Sequence, residues 1–188
     1  MASTERQLFG GSITCEIPSS WRDVSDIRQI PDHQECWQGE DGDVLVVEIL
    51  ERQVSVPDAD AAMFFFRDLA DANEVTLSQD TRFRPKMIEL STLPQDASLC
   101  AGIGFQKVAK VRSFDFAGRP RQQEAHWIRV ELCAIRLQQV DTDLLVTIST
   151  PMHALNSTEA TSLEVENFTD KFLHLISTLK IRDWKLFS

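Results

Sequence analysis

The chain has 188 residues, 43% apolar and 26% charged, a composition that supports one self-sufficient core and lies far from that of disordered chains. Its formal charge of −10, with no basic patch or lysine-rich run, argues against nucleic acid or anionic lipid as a partner and favours a basic protein surface. The start, MASTERQLFGG, lacks the basic segment and apolar run of a secretory signal, and no window approaches the roughly 18 apolar residues that span a bilayer, so an intracellular protein without membrane insertion is expected.

No repeat, low-complexity tract or Gly/Ser linker divides the sequence, which predicts a single domain over 1–188 with a flexible N-terminal segment at 1–7. Ile13, Cys15 and Ile17 alternate with polar residues and predict a strand, and the β-branched run 44–50 predicts another, suited to the middle of a sheet. After Pro57, Asp58 or Asp60 is placed to cap a helix running through Ala62, Phe65, Phe66 and Leu69 and ending near Asn73. Residues 101–111 and 126–137 predict long strands and 144–149 a shorter one. Asp and Thr in the segment 138–143 favour a turn, and so an antiparallel hairpin. A second helix is expected to open between Ser157 and Thr161, where Thr161 and Glu164 have capping-box spacing. It would bury Val165, Phe168, Phe172, Leu175, Ile176 and Leu179. Strands without regular β-α alternation argue for an α+β fold and against a doubly wound nucleotide fold.

Motifs that carry chemistry are scarce. Gly102-Ile103-Gly104 lacks the third glycine of a phosphate loop and sits in strand-like sequence, where paired glycines mark a bulge or a close packing contact. The four histidines have no metal-ligand spacing, no serine sits in a nucleophile elbow, and no GxxxxGK[ST] loop is present; neither a metal nor a cofactor is expected. Cys15, Cys36, Cys100 and Cys133 lack CxxC spacing and lie in or beside apolar stretches, as free buried thiols do. The acidic residues are more suggestive. Glu48 and Glu51 close the run VVEILE, and Asp23, Asp26, Asp32 and Glu35 punctuate the segment before it. Alternation puts Glu48 on the same face as Val44, Val46 and Leu50, an unfavourable place for a charge unless the strand ends there or a partner covers it. A hydrolase or isomerase with paired carboxylates would instead need a concave pocket holding two of these acids with raised pKa values.

The segments LFGGSITCEIP (8–18), RDVSDIRQIPDHQE (22–35), VVEILE (46–51) and AIRLQQVDTDLLVTISTP (134–151), in that order, closely resemble the Mog-type Ran guanine-nucleotide-release factors, and the likeness extends to the ending LKIRDWKLFS. The resemblance implies an α+β domain, a twisted and mainly antiparallel sheet flanked by helices on both faces as in the PsbP proteins of photosystem II. It implies a protein of nucleus and cytoplasm that binds the GTPase Ran, promotes release of its guanine nucleotide and supports nuclear protein import, with no catalytic residue of its own; a monomer is the default expectation. Animal members are also linked to surface delivery of a sodium channel. By the same resemblance the partner-binding patch falls on Glu48 and Glu51, with Asp32 and Glu35 nearby and Arg28 and Asp23 as further members. Ser12 and Cys36 stand where the family pattern has alanine and valine.

Overall fold

The computed structural model describes residues 2–75, 83–108, 126–152 and 167–188. Strands β1 (Ser3–Leu8) and β2 (Ile13–Pro18) form an antiparallel hairpin in register from Ser3↔Pro18 to Leu8↔Ile13. Within the segment 1–7, expected to be flexible, the ladder pairs the backbone from Ser3 onward, and Leu8 is fully buried at its end. The hairpin turns through Phe9, Gly10 and Gly11, all with positive φ, and glycine adopts that conformation at little steric cost.

The main sheet comprises β3 (Arg22–Asp23), β4 (Gln34–Gln38), β5 (Val44–Glu51), β6 (Phe83–Ile88), β7 (Ser98–Val108), β8 (His126–Leu137) and β9 (Thr142–Met152). Its seven strands run in the order β3-β4-β5-β9-β8-β7-β6, and every pairing is antiparallel. A short β10 (Lys180–Ile181) adds a third strand beside β2. The run 44–50 is indeed an inner strand, between β4 and β9. The expected hairpin is present as β8–β9, but its connection is only 138–141, closed by left-handed Asp141; Thr142 and Asp143 already pair with Leu137 and Arg136. The strand expected at 101–111 is observed as Ser98–Val108, and residues 109–111 lie outside the described residues.

Helix α1 (Ala61–Ala72) runs close to its expected course and is capped by Asn73. Its start differs. Asp58–Asp60 forms a single 3-10 turn and neither acid caps with its side chain, because Asp58 faces Arg52 and Arg136 instead. Helix α2 (Asp170–Thr178) begins where Thr169 Oγ1 accepts the Phe172 N–H, so the helix expected from 157–161 is not continuous to Leu179. The expected capping box lies outside the described residues. Residues 167–169 are not helical, and buried Glu131 receives both the Thr169 N–H (2.6 Å) and its hydroxyl (2.7 Å), which holds the chain extended there.

The period of two along the strands sorts side chains into two cores. One side of the sheet presents Leu45, Val47, Ala101, Cys133, Ile135, Val146 and Ile148 to the small sheet and to Phe172, Leu175 and Ile176 of α2. The other presents Cys100, Ile128, Val130, Leu132 and Ala134 to Ala62, Phe65 and Phe66 of α1. Helices therefore flank the sheet on both faces, as expected. Gly102 and Gly104 sit on the α1 side and form a notch. A Cβ on Gly102 would lie 2.2 Å from the Phe83 ring, and one on Gly104 would lie 2.7 Å from Phe66. The paired glycines thus mark close packing. All four cysteines are free and buried; burial pushes the Cys15 thiol up to about 12 and raises Cys133 as well, so neither is a ready nucleophile.

Candidate partner-binding face

Strands β4 and β5 pair as Gln34↔Glu48, Cys36↔Val46 and Gln38↔Val44. Alternation sends these six side chains to one face, the side that α1 occupies further along the sheet. Helix α1 lies over β6, β7 and β8. Val44, Val46 and Glu48 are consequently only half-buried, whereas Leu45 and Val47 on the reverse side are fully enclosed.

Glu48 is the acid in the least favourable place, and its neighbours show how the fold tolerates it. Its Oε1 accepts the Gln34 amide at 2.6 Å across the ladder and lies 3.4 Å from Nε2 of His33. Strand β4 begins at Gln34, so the carboxylate stands at the end of the ladder with its side chain 21% exposed. Asp32 is exposed in the turn closed by the Gln34 N–H on the Pro31 carbonyl, immediately before this pair.

Arg28 reaches the same face from a different element. The backbone N–H groups of Ile27 and Arg28 both donate to the Val24 carbonyl, and Val24 N–H is tied to Cys36 of β4, which turns the loop back over the strand. Burial pushes the Cys36 thiol up, while the Arg28 guanidinium beside it and hydrogen-bonded to it works in the opposite direction. Asp23 holds that loop in shape: its Oδ1 accepts both the N–H (2.8 Å) and the hydroxyl (2.6 Å) of Ser25. Ile27, at the loop's tip, is 72% exposed.

The remaining two residues of the patch diverge from it. Glu35 leaves β4 on the opposite face, where its carboxylate accepts the Phe9 N–H of the β1–β2 turn. Glu51 is exposed at the last position of β5, three residues beyond Glu48 and so directed to the other side by alternation. The structure therefore gathers Glu48, Asp32 and Arg28, gives Asp23 a supporting position, and separates Glu35 and Glu51 from them. It also separates Glu48 from Glu35, which project from opposite faces. Gln34, His33 and Ile27 complete the face beside Val44 and Val46; strand alternation places the two valines next to Glu48 from the sequence, whereas the other three escaped sequence reasoning. Strand β4 is too short to announce itself, and only its pairing with β5 identifies Gln34 as the partner of Glu48.

Glu35 supplies a pH test. Burial raises its carboxyl above the usual range, the Phe9 N–H opposes this, and the charge on Asp23 adds to it. Between the unfolded value and the raised folded value the native state binds more proton, so this group lowers stability as pH rises. Glu35→Gln keeps an acceptor for Phe9. Its stability relative to the parent is expected to increase from about pH 4 to about pH 7, measured by urea unfolding. A difference that stays constant across that range would mean that burial does not perturb the carboxyl.

Comparisons with known proteins bear on the family and the fold. A family model described as "Ran-interacting Mog1 protein" matches residues 6–151. The Ran guanine nucleotide release factor of Danio rerio is 30% identical over 189 residues, covering 97% of this chain and 98% of that protein. The nuclear import protein MOG1 of Saccharomyces cerevisiae is 27% identical over 181 residues, covering 88% and 74%. A crystal structure of the Saccharomyces cerevisiae Ran-binding protein Mog1p superposes with a TM-score of 0.67 at 22% identity, each chain being covered to 100%, a likeness of fold.

Proposed function

This chain belongs to the Ran-interacting Mog1 protein family, and from that footing we propose that it binds Ran through the β4–β5 face and weakens Ran's hold on guanine nucleotide. The observation that carries the choice of face is Glu48: a half-buried carboxylate on an open stretch of sheet beside Val44 and Val46, held by an amide and a histidine. A basic group of Ran would complete its coordination, with Asp32 at the rim and Arg28 placed for a carboxylate of the partner. Glu51, exposed at the end of β5 but directed to the other side of the sheet, would contribute only from the rim, and Asp23 and Glu35 support the scaffold.

The mechanism is linkage. If the protein prefers nucleotide-free or loosened Ran, then the affinity of Ran for nucleotide falls by the same factor in the complex. No bond is made or broken and no catalytic residue is needed, so the protein acts as a regulator. Carboxylates at the Ran surface would compete with phosphate for the same cations. The proposal includes one domain over 1–188, working as a monomer in nucleus and cytoplasm in support of nuclear import, the role named for the yeast relative. A part in sodium-channel delivery enters only through the family resemblance.

Release of fluorescent GDP and GTP from purified Ran, with an unrelated GTPase as control, tests the activity. Release is expected to accelerate for Ran and not for the control, and Glu48→Ala, by itself and combined with Glu51→Ala, is expected to weaken binding at least about tenfold. No acceleration in either nucleotide state would reject the function. Acceleration indifferent to the double variant would reject the face.

A further inference from the structure

We propose that a groove beside α1, away from the β4–β5 face, is a second docking site and that it takes a basic amphipathic segment of a partner protein. The reason starts in the sequence of the helix. Ala61-Ala62-Met63-Phe64-Phe65-Phe66 is a run of six apolar residues, more than the stripe a helix needs to cover a sheet. Ala61, Ala62, Phe65, Phe66 and Ala70 fill the inward face and are buried. Met63 and Phe64 are surplus to that packing and remain half-buried, Phe64 meeting Phe65 edge to face at 5.2 Å. With Val56 and Pro57 of the preceding loop they line an open groove of about 610 Å³. Val54, at the head of that loop, is 75% exposed. Contiguous apolar surface of this kind, rimmed by charge, is characteristic of an interaction site.

The charge at the rim selects the occupant. Asp60, Asp68 and Asp71 line the groove against a single cation, Arg67. None of these four forms an ion pair with a described residue, whereas neighbouring Asp58 is engaged by Arg52 and Arg136. The unneutralised excess of carboxylate favours Lys and Arg, and the floor of Val56, Met63 and Phe64 favours an apolar anchor between them. A second copy of this chain, with its charge of −10, would be repelled, as would an anionic membrane. A helix laid along the groove meets both demands, with apolar anchors on one face and basic residues beside them. The site does not depend on the Ran reading: α1 lies over β6, β7 and β8, while the face proposed for Ran is built on β4 and β5.

The experiment uses the full-length protein and a short fluorescent peptide of lysine and leucine patterned to be amphipathic as a helix. A lysine–serine peptide of equal charge and a glutamate–leucine peptide serve as controls, all at physiological salt. The lysine–leucine peptide is expected to bind and to slow amide exchange over residues 55–71, and both controls to bind at least about tenfold more weakly. Asp68→Lys with Asp71→Lys, at exposed positions that leave the core untouched, is expected to weaken the peptide at least about tenfold while Ran-dependent nucleotide release stays at the parent rate. Met63→Ser with Phe64→Ser should do the same to the peptide, provided its thermal melt matches the parent. Equal binding of the lysine–serine peptide, protection elsewhere than 55–71, or peptide affinity unchanged by the aspartate variant would each overturn the proposal. Loss of Ran-dependent release in the aspartate variant would merge the groove with the Ran site and overturn it as a separate one.

Discussion

Asp143→Ala is expected to lower the free energy of unfolding by about 3–5 kcal/mol, read as a fall in the urea midpoint at unchanged slope. Asp143 and Arg136 face each other across the β8–β9 hairpin, both fully buried, with Nε of Arg136 2.7 Å from the carboxylate. The guanidinium also donates to the carbonyls of Val56 (3.0 Å) and Gln53 (2.8 Å), and the other oxygen of Asp143 accepts the Gln53 N–H (3.0 Å). This network fastens the loop between β5 and α1 to the sheet. Removing the carboxylate leaves the buried guanidinium only the partly exposed Asp58, 3.4 Å from its Nη1, as a counter-charge, and the loss comes from that weakened compensation. The pair as a whole is worth less than the variant suggests. Arg136→Met with Asp143→Leu should recover part of the deficit but not all, since the backbone groups of Gln53 and Val56 would lose their partners. Faster amide exchange over 52–58 should accompany the single variant. A cost below about 1 kcal/mol would show that water reaches the pair and that the loop is held by other contacts.

Phe66→Ala should cost about 3–5 kcal/mol by the same measurement, at the upper end for a core truncation. The ring is fully buried, stacks on Phe83 with centroids 4.3 Å apart, and fills the notch over Gly104. Glycines cannot extend into the space that the ring vacates, so relaxation is limited and the cavity persists. The backbone carbonyl of Phe66 also receives the side-chain amide of buried Gln106 at 3.0 Å, which keeps that turn of α1 in place around the void. Gly104→Ala alone should cost about 1–3 kcal/mol, because its Cβ would collide with the ring it is shaped to receive. In the double variant the two changes are expected to offset one another, giving a cost smaller than their sum. Strict additivity would mean that ring and glycine do not share a contact.

Much of the architecture was legible because it rests on local periodicity. The alternation in 13–17, the β-branched run after Val44 and the turn chemistry of 138–143 each express a physical preference that neighbouring residues settle among themselves. That hairpin, once placed, even implied the Arg136–Asp143 pair, since a connection of 138–141 sets the two residues opposite one another. The expected connection of 138–143 is two residues too long to set them opposite one another. The N-terminal strand and the short β4 went unread for a different reason: Ser3–Leu8 and Gln34–Gln38 have little apolar content of their own and are strands because β2 and β5 pair with them.

Composition and residue order, taken alone, determined an acidic α+β domain, its principal strands and its first helix, because burial patterns and turn preferences are written residue by residue. Which acids stand together was decided only by tertiary pairing. A shift of one position along a strand reverses the face, so Glu48 and Glu35, close in any reading of the linear chain, end on opposite sides of the sheet, and Arg28 joins Glu48 only because a loop folds back over Cys36. The apolar surplus of α1 was visible in its sequence, but that it borders an acidic groove depends on where the Arg136 network directs the preceding loop.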